Sequence, residues 1–110
     1  GLPKKYIKID NKNTLVDESQ IQYIKRDGMK LDFHTSSKDY ESYSSFNKIQ
    51  DNLPDNFVRC HKSYIVNLNN IKNVDPVTLT IYFDDTNFCS IGPKYKKDFM
   101  EVMKNHGIIK

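Results

Sequence analysis

Turn-forming residues recur about every 8–12 residues along the first two-thirds of this 110-residue chain, and that punctuation leaves room for short strands only. Asn11-Lys12-Asn13, Asp27-Gly28, Ser36–Asp39 and Asp84–Asn87 are rich in the small polar residues whose side chains and φ freedom close turns. Between them apolar and polar residues alternate, as in strands with one buried face. The runs are Tyr6–Asp10, Thr14–Val16, Ile21–Lys25, Leu31–Thr35, Tyr40–Tyr43, Tyr64–Leu68, Thr78–Phe83 and Phe88–Ile91, eight strands in all. Leu31, Phe33 and Thr35 share one face, with Lys30, Asp32 and His34 on the other. The most regular run, Thr78–Phe83, turns Leu79, Ile81 and Phe83 inward, and Phe88–Ile91 pairs back on it with Cys89 and Ile91 on one side. Asp17–Gln20 reads as a turn or a single helical turn.

The period changes twice. Phe46, Ile49 and Leu53 predict an amphipathic helix over Ser45–Leu53, capped by Ser44 or Ser45 and ended by Pro54. Tyr95, Phe99 and Val102 mark a second helix between Gly92-Pro93 and Gly107. The expected fold is mostly β: small antiparallel sheets, one short central helix and a C-terminal helix, in one domain over residues 1–110. The chain starts without Met, so Gly1–Lys5 reads as a linker or tag remnant. No apolar run approaches the roughly 20 residues of a membrane span, and no signal peptide opens the chain, so a cytoplasmic protein without membrane contact is expected.

Little points to catalysis, and no cofactor is expected. Cys60 and His61 are adjacent, and neighbours on an extended segment face opposite ways, whereas a Cys–His nucleophile pair must touch. No Gly-rich phosphate loop and no metal-ligand spacing occurs. Cys60 and Cys89 read either as two small buried hydrophobes in a reducing compartment or as a candidate redox pair.

Net charge is +3 and pI about 8.8, which permits nucleic-acid binding without demanding it. Placement says more. Lys25, Arg26 and Lys30 surround one tight hairpin tip, and a two-stranded ribbon fits the major groove. Arg59, His61, Lys62 and Ser63 form a second cluster, whose short Ser63 hydroxyl can bond a phosphate. Lys94, Lys96 and Lys97 sit where the last helix begins, against the sign of its dipole, and a bound phosphate would relieve that conflict.

The residues Phe57, Arg59, His61, Ser63, Tyr64, Val66 and Asn67, followed by Asn70-Ile71, resemble the signature of the LytTR family. The flanks agree: Ile21, Tyr23 and Ile24 in a strand, a short helix before the signature, a late hairpin, then Ser90 and Lys94–Lys97 before a terminal helix. Within the family the Arg-Cys-His order and the second Cys are most similar to the accessory gene regulator A type. The resemblance covers essentially the whole chain. It implies an elongated arrangement of small β-sheets that binds duplex DNA through loops in successive major grooves, at paired direct repeats in promoters. It also implies the output domain of a bacterial response regulator, monomeric in isolation and two copies on DNA. A receiver domain, absent from this chain, would precede it and answer to a sensor histidine kinase.

Carried over by position, the DNA-facing segments are the hairpin around Arg26–Lys30, Lys62-Ser63, and Ser90–Lys97. Phosphates are assigned to Ser63, Ser90, Lys96 and Lys97, with Arg26 a weaker candidate, and bases to Lys30, Lys62 and Lys94. Arg59 and His61 are expected to be partly structural, bracing the turn before the strand. The chain departs from the subgroup in a shorter first hairpin, in Met29 where a His stands there, and in Gly92-Pro93-Lys94 where an Arg is common. Lys lacks the Arg fork, so readout there should be weaker. Two other functions fit a small basic β domain. A single-stranded nucleic-acid binder needs aromatics exposed on a groove, but Phe33, Ile81 and Phe83 alternate as core. A protein-interaction module would use exposed strand edges and ignore Lys94 and Lys97.

Overall fold

The computed structural model describes residues 6–9 and 14–109; the expected linker remnant Gly1–Lys5 and the Asn11–Asn13 turn lie outside them. In chain order the described residues form β1 (Tyr6–Lys8), β2 (Leu15–Asp17), β3 (Ile21–Asp27), β4 (Lys30–Thr35), β5 (Asp39–Tyr43) and α1 (Phe46–Ile49). They continue with β6 (Phe57–His61), β7 (Tyr64–Asn67), β8 (Asn73–Asp75), β9 (Thr80–Tyr82), β10 (Phe88–Ser90) and α2 (Lys96–Asn105). Every pairing is antiparallel: β1 with β2, a three-stranded sheet β10-β9-β8, and a five-stranded sheet β5-β4-β3-β7-β6. The mostly β expectation is borne out.

Strands β3, β7 and β6 of the five-stranded sheet are packed on both faces. One face sends Ile24, Leu31, Phe33, Phe57 and Ile65 into a core shared with Val16 of β2 and Phe46 of α1. The other sends Tyr23, Val58, Cys60, Tyr64 and Val66 into a second core with Ile81, Cys89, Phe99 and Met103. Successive strand residues thus serve two cores, so the inner strands keep few exposed positions.

Two strands escape the alternation rule. β6 was not among the eight expected: its apolar residues are split between the cores, Phe57 in one and Val58 and Cys60 in the other, and Arg59 and His61 read as part of a basic cluster. A register shift between Arg59 and His61 further breaks its period at Cys60. β8 is three residues long, too short to carry a period. One expected strand loses half of its length. Thr78–Phe83 contributes only Thr80–Tyr82, because the Asp75 carboxylate accepts the N–H groups of Val77 (2.9 Å) and Thr78 (3.2 Å) and Leu79 takes φ 54°. The turn consumes Thr78 and Leu79, although Leu79 still packs on the second core beside buried Ile81 and Phe83.

The central helix begins where its cap predicts. The Ser45 hydroxyl accepts the N–H of Lys48 (3.3 Å), Phe46 is buried, and the chain tightens into a 3-10 turn at Gln50–Asn52 before Pro54. Asn67, at the end of β7, is fully buried. Its amide nitrogen donates to the carbonyls of Glu18 (3.1 Å) and Ile21 (2.9 Å), while its oxygen accepts from Asn56 Nδ2 (2.7 Å) and Asn69 N (3.1 Å). One side chain therefore ties β7 to the segment entering β3 and to the loop before β6.

Candidate nucleic-acid interface

Strand order alone brings the first two basic segments together. β3 and β7 are neighbours with Lys25 opposite Tyr64, so the outgoing end of β3 lies beside the β6–β7 turn. The N–H of Arg26 donates to the Ser63 carbonyl at 2.9 Å. The third segment docks on the far side of that turn, where the N–H of Gly92 donates to the Cys60 carbonyl at 2.8 Å. A Cβ at Gly92 would stand 3.3 Å from His61 Cδ2 and 3.4 Å from His61 Cα, so glycine is what allows this approach. The three segments, far apart in sequence, form one continuous end of the molecule.

Arg59 locks the junction. Its Nε donates to the His61 carbonyl (2.8 Å) and its Nη2 to the Lys62 carbonyl (2.5 Å). The guanidinium lies over the Phe46 ring at 4.5 Å and near the Tyr95 ring at 5.5 Å. It therefore holds the Lys62-Ser63 turn against both α1 and the approach to α2, the bracing role expected for it.

Of the expected DNA-facing residues, Arg26, Lys62, Ser90, Lys94, Lys96 and Lys97 are exposed, and Lys30 and Ser63 are half-buried. Among the described residues none of Arg26, Lys62, Lys94, Lys96 and Lys97 has a carboxylate within ion-pair distance. Lys30 differs. Its ammonium is 3.7 Å from Glu41 and 5.4 Å from the Tyr43 ring centre, and Glu41, first among the causes, raises its pKa. Lys96 and Lys97 open α2, and Tyr95 at its N-cap gives no side-chain hydrogen bond to the first turn. Beside the hairpin, a cleft of about 560 Å³ is bordered by Arg26, Met29, Tyr43, Lys48 and Arg59. Lys48 gave no signal in sequence, since it reads as an ordinary solvated helix lysine.

His61 serves the turn as an acceptor. Its Nδ1 takes the N–H of Ser63 at 3.0 Å, which requires an unprotonated nitrogen there. Burial, then the neighbouring Lys62 and Arg59 charges, lower its pKa below the usual 6.5. The unfolded chain thus binds the proton more readily, and stability must fall as pH drops through 6.5 toward the folded value, then level off. Denaturant titrations at pH 7.5 and 5.5 should show this loss, and His61→Gln should reduce it.

Cys60 and Cys89 are free thiols in the same core, both buried. The Cys60 thiol faces the carbonyls of Tyr64 (3.8 Å) and Ser90 (3.7 Å). Burial pushes Cys60 up to about 12 and Cys89 higher still, so little of either is thiolate at neutral pH. Among the described residues no group of His, Cys, Asp and Glu could hold a metal ion. No helix among them is long and apolar enough to cross a membrane.

Residues 11–104 match the model of the LytTr DNA-binding domain. The transcriptional regulatory protein NatR of Bacillus subtilis is 25% identical over 99 residues, 86% of this chain and 42% of that protein. Accessory gene regulator protein A of Staphylococcus aureus is 32% identical over 56 residues, 51% of this chain and 23% of that protein. The chain thus spans less than half the length of either relative. The fold is shared with the LytTr DNA-binding domain of a methyl-accepting/DNA response regulator from Bacillus cereus. The TM-score is 0.78 at 24% identity, covering 92% of this chain and 98% of that one. The signature in β6 and β7, the antiparallel architecture and the family match over nearly the whole chain agree: it belongs to the LytTr DNA-binding domain family.

Proposed function

We propose that this chain is the sequence-specific duplex-DNA-binding output domain of a bacterial two-component response regulator. It reads promoter direct repeats with loops inserted into successive major grooves. The observation that carries this reading is the convergence of three basic segments, whose Arg26, Lys62, Lys94, Lys96 and Lys97 no carboxylate among the described residues neutralises. These five cations meet phosphates at little cost, because none of them has an internal ion pair to break first.

In this reading Ser63, Ser90, Lys96 and Lys97 hold phosphates, with Arg26 in support, and Lys62 and Lys94 reach base edges. Lys30 can join them by exchanging its Glu41 contact for DNA. Two copies occupy paired repeats, and a receiver domain that answers to a sensor histidine kinase precedes them; the chain spans 42% and 23% of the two relatives, which leaves room for one. A regulator of this kind works in the cytoplasm.

Selection from a random duplex pool tests the reading, followed by titration of the winning sequence against scrambled DNA at two salt concentrations. Enrichment of a repeated motif, bound well above scrambled DNA and weakening steeply with salt, is the expected result. Equal, weak binding to every duplex would sink it and turn attention to a protein partner at the strand edges. Two variants refine the test. Lys97→Ala should weaken all sequences nearly uniformly and lower the salt slope by about 1. Lys62→Ala should narrow the gap between target and scrambled DNA by about 1–3 kcal/mol. An unchanged ratio would remove Lys62 from the base-reading set.

A further inference from the structure

The leading side chain on the basic end of the molecule is not a cation. Asp27 and Lys30 pair across the β3–β4 hairpin and leave Gly28-Met29 as a two-residue loop. Gly28 takes φ 61° and Met29 stays outside the left-handed region, the pattern of a II′ turn with glycine first. This geometry leaves Met29 84% exposed. Tyr43, opposite Lys30 in the β4–β5 ladder, is 79% exposed beside it. Lys30 itself is drawn back along the sheet by Glu41 and the Tyr43 ring. The foremost group of the tip is therefore a thioether chain with no hydrogen-bond donor.

Lys25 and Arg26 flank that tip and are both exposed. The tip is thus an apolar point within a positive field. A phosphate has no use for the apolar point, and an apolar protein pocket has no use for the field. The major groove of duplex DNA offers both: phosphates along its walls, and on its floor one apolar group among the base edges, the C5-methyl of thymine.

We propose, on the basis of the duplex-binding reading above, that Met29 reads a thymine through contact with its C5-methyl group. The hairpin tip is then a sequence-reading element that works by apolar contact, with Arg26 holding an adjacent phosphate.

Deoxyuridine scanning isolates the contact, because replacing thymine with uracil deletes only the methyl and keeps the base pair. In a site selected as above, each thymine is replaced in turn and binding of the chain is titrated. One thymine per half-site should lose about fourfold in affinity on replacement, the worth of one buried methyl. Met29→Ala, at a side chain this exposed, should leave thermal unfolding unchanged, bind the thymine site about as weakly, and become indifferent to the replacement. The proposal is overturned if no thymine responds, or if the response persists undiminished in Met29→Ala. A chain that prefers no duplex sequence at all would instead fail the earlier reading, and this inference with it.

Discussion

Asn67→Asp should cost the domain about 4 kcal/mol of stability, a large share of the roughly 5–15 kcal/mol that holds an ordinary domain folded. The exchange changes shape hardly at all. It replaces an NH₂ that donates to the Glu18 and Ile21 carbonyls by an oxygen that faces them. A carboxylate has no hydrogen to give, so the Glu18 carbonyl loses this donor, the Ile21 carbonyl is left with that of Asn70, and a charge is enclosed at a position with no exposed surface. Only the Asn56 and Asn69 bonds to the other oxygen persist. Burial and facing carbonyls must raise the pKa of the new acid above its unfolded value, so the deficit should shrink as pH falls towards about 4. Urea unfolding of both proteins at pH 7 and pH 5 measures this. Equal stability at both pH values would mean that Asn67 is not the tie described.

Arg59→Met should cost about 3–4 kcal/mol and weaken duplex binding about tenfold, although Arg59 needs no DNA contact for either effect. Two charge-assisted bonds to the His61 and Lys62 carbonyls are lost, each worth about 1.5 kcal/mol or more, together with the stacking on Phe46. The methionine stem replaces the packing, so the loss measures the guanidinium. The turn carrying Lys62-Ser63 is then free to shift against the approach to α2, and the second and third segments lose their common register. Arg59→Lys separates this from a simple charge effect. A lysine keeps the charge but cannot reach two carbonyls with a planar fork, so it should restore little. Full recovery of binding with lysine, alongside an altered salt slope, would make Arg59 a phosphate contact instead.

The legible parts of this chain are those where one face meets a core and the other meets water. β4 shows it: Leu31, Phe33 and Thr35 are buried in strict alternation with half-buried Lys30, Asp32 and His34. The central helix and its Ser45 cap were legible because capping and apolar spacing are local. β6 was not, because its apolar residues are split between two cores, Phe57 in one and Val58 and Cys60 in the other, and its register shifts between Arg59 and His61. The shortening of β9 follows from one carboxylate, Asp75, capturing two backbone N–H groups, a competition that hydrophobic spacing does not record.

The candidate site divides along the same line. Its segments were found as clusters of charge, yet their meeting depends on β3 lying beside β7 and on Gly92 packing against His61, both of them long-range. Lys30 was assigned to bases alongside Lys62 and Lys94. Its pairing with Glu41 exists only in the register of β4 with β5, which sets Asp32 opposite Glu41 and Lys30 opposite Tyr43. Met29 was noted as a departure from the subgroup, and the II′ turn that thrusts it forward is what gives it chemical meaning.

The most direct test of the central claim is the map of backbone amide shifts when a selected duplex is titrated into the labelled chain. The account predicts that the large changes fall on Arg26–Lys30, Lys62-Ser63 and Ser90–Lys97 together, with β8 and the Asp75–Thr80 turn unmoved. Changes confined to the β5, β8 or β10 edges, with those three segments silent, would contradict it.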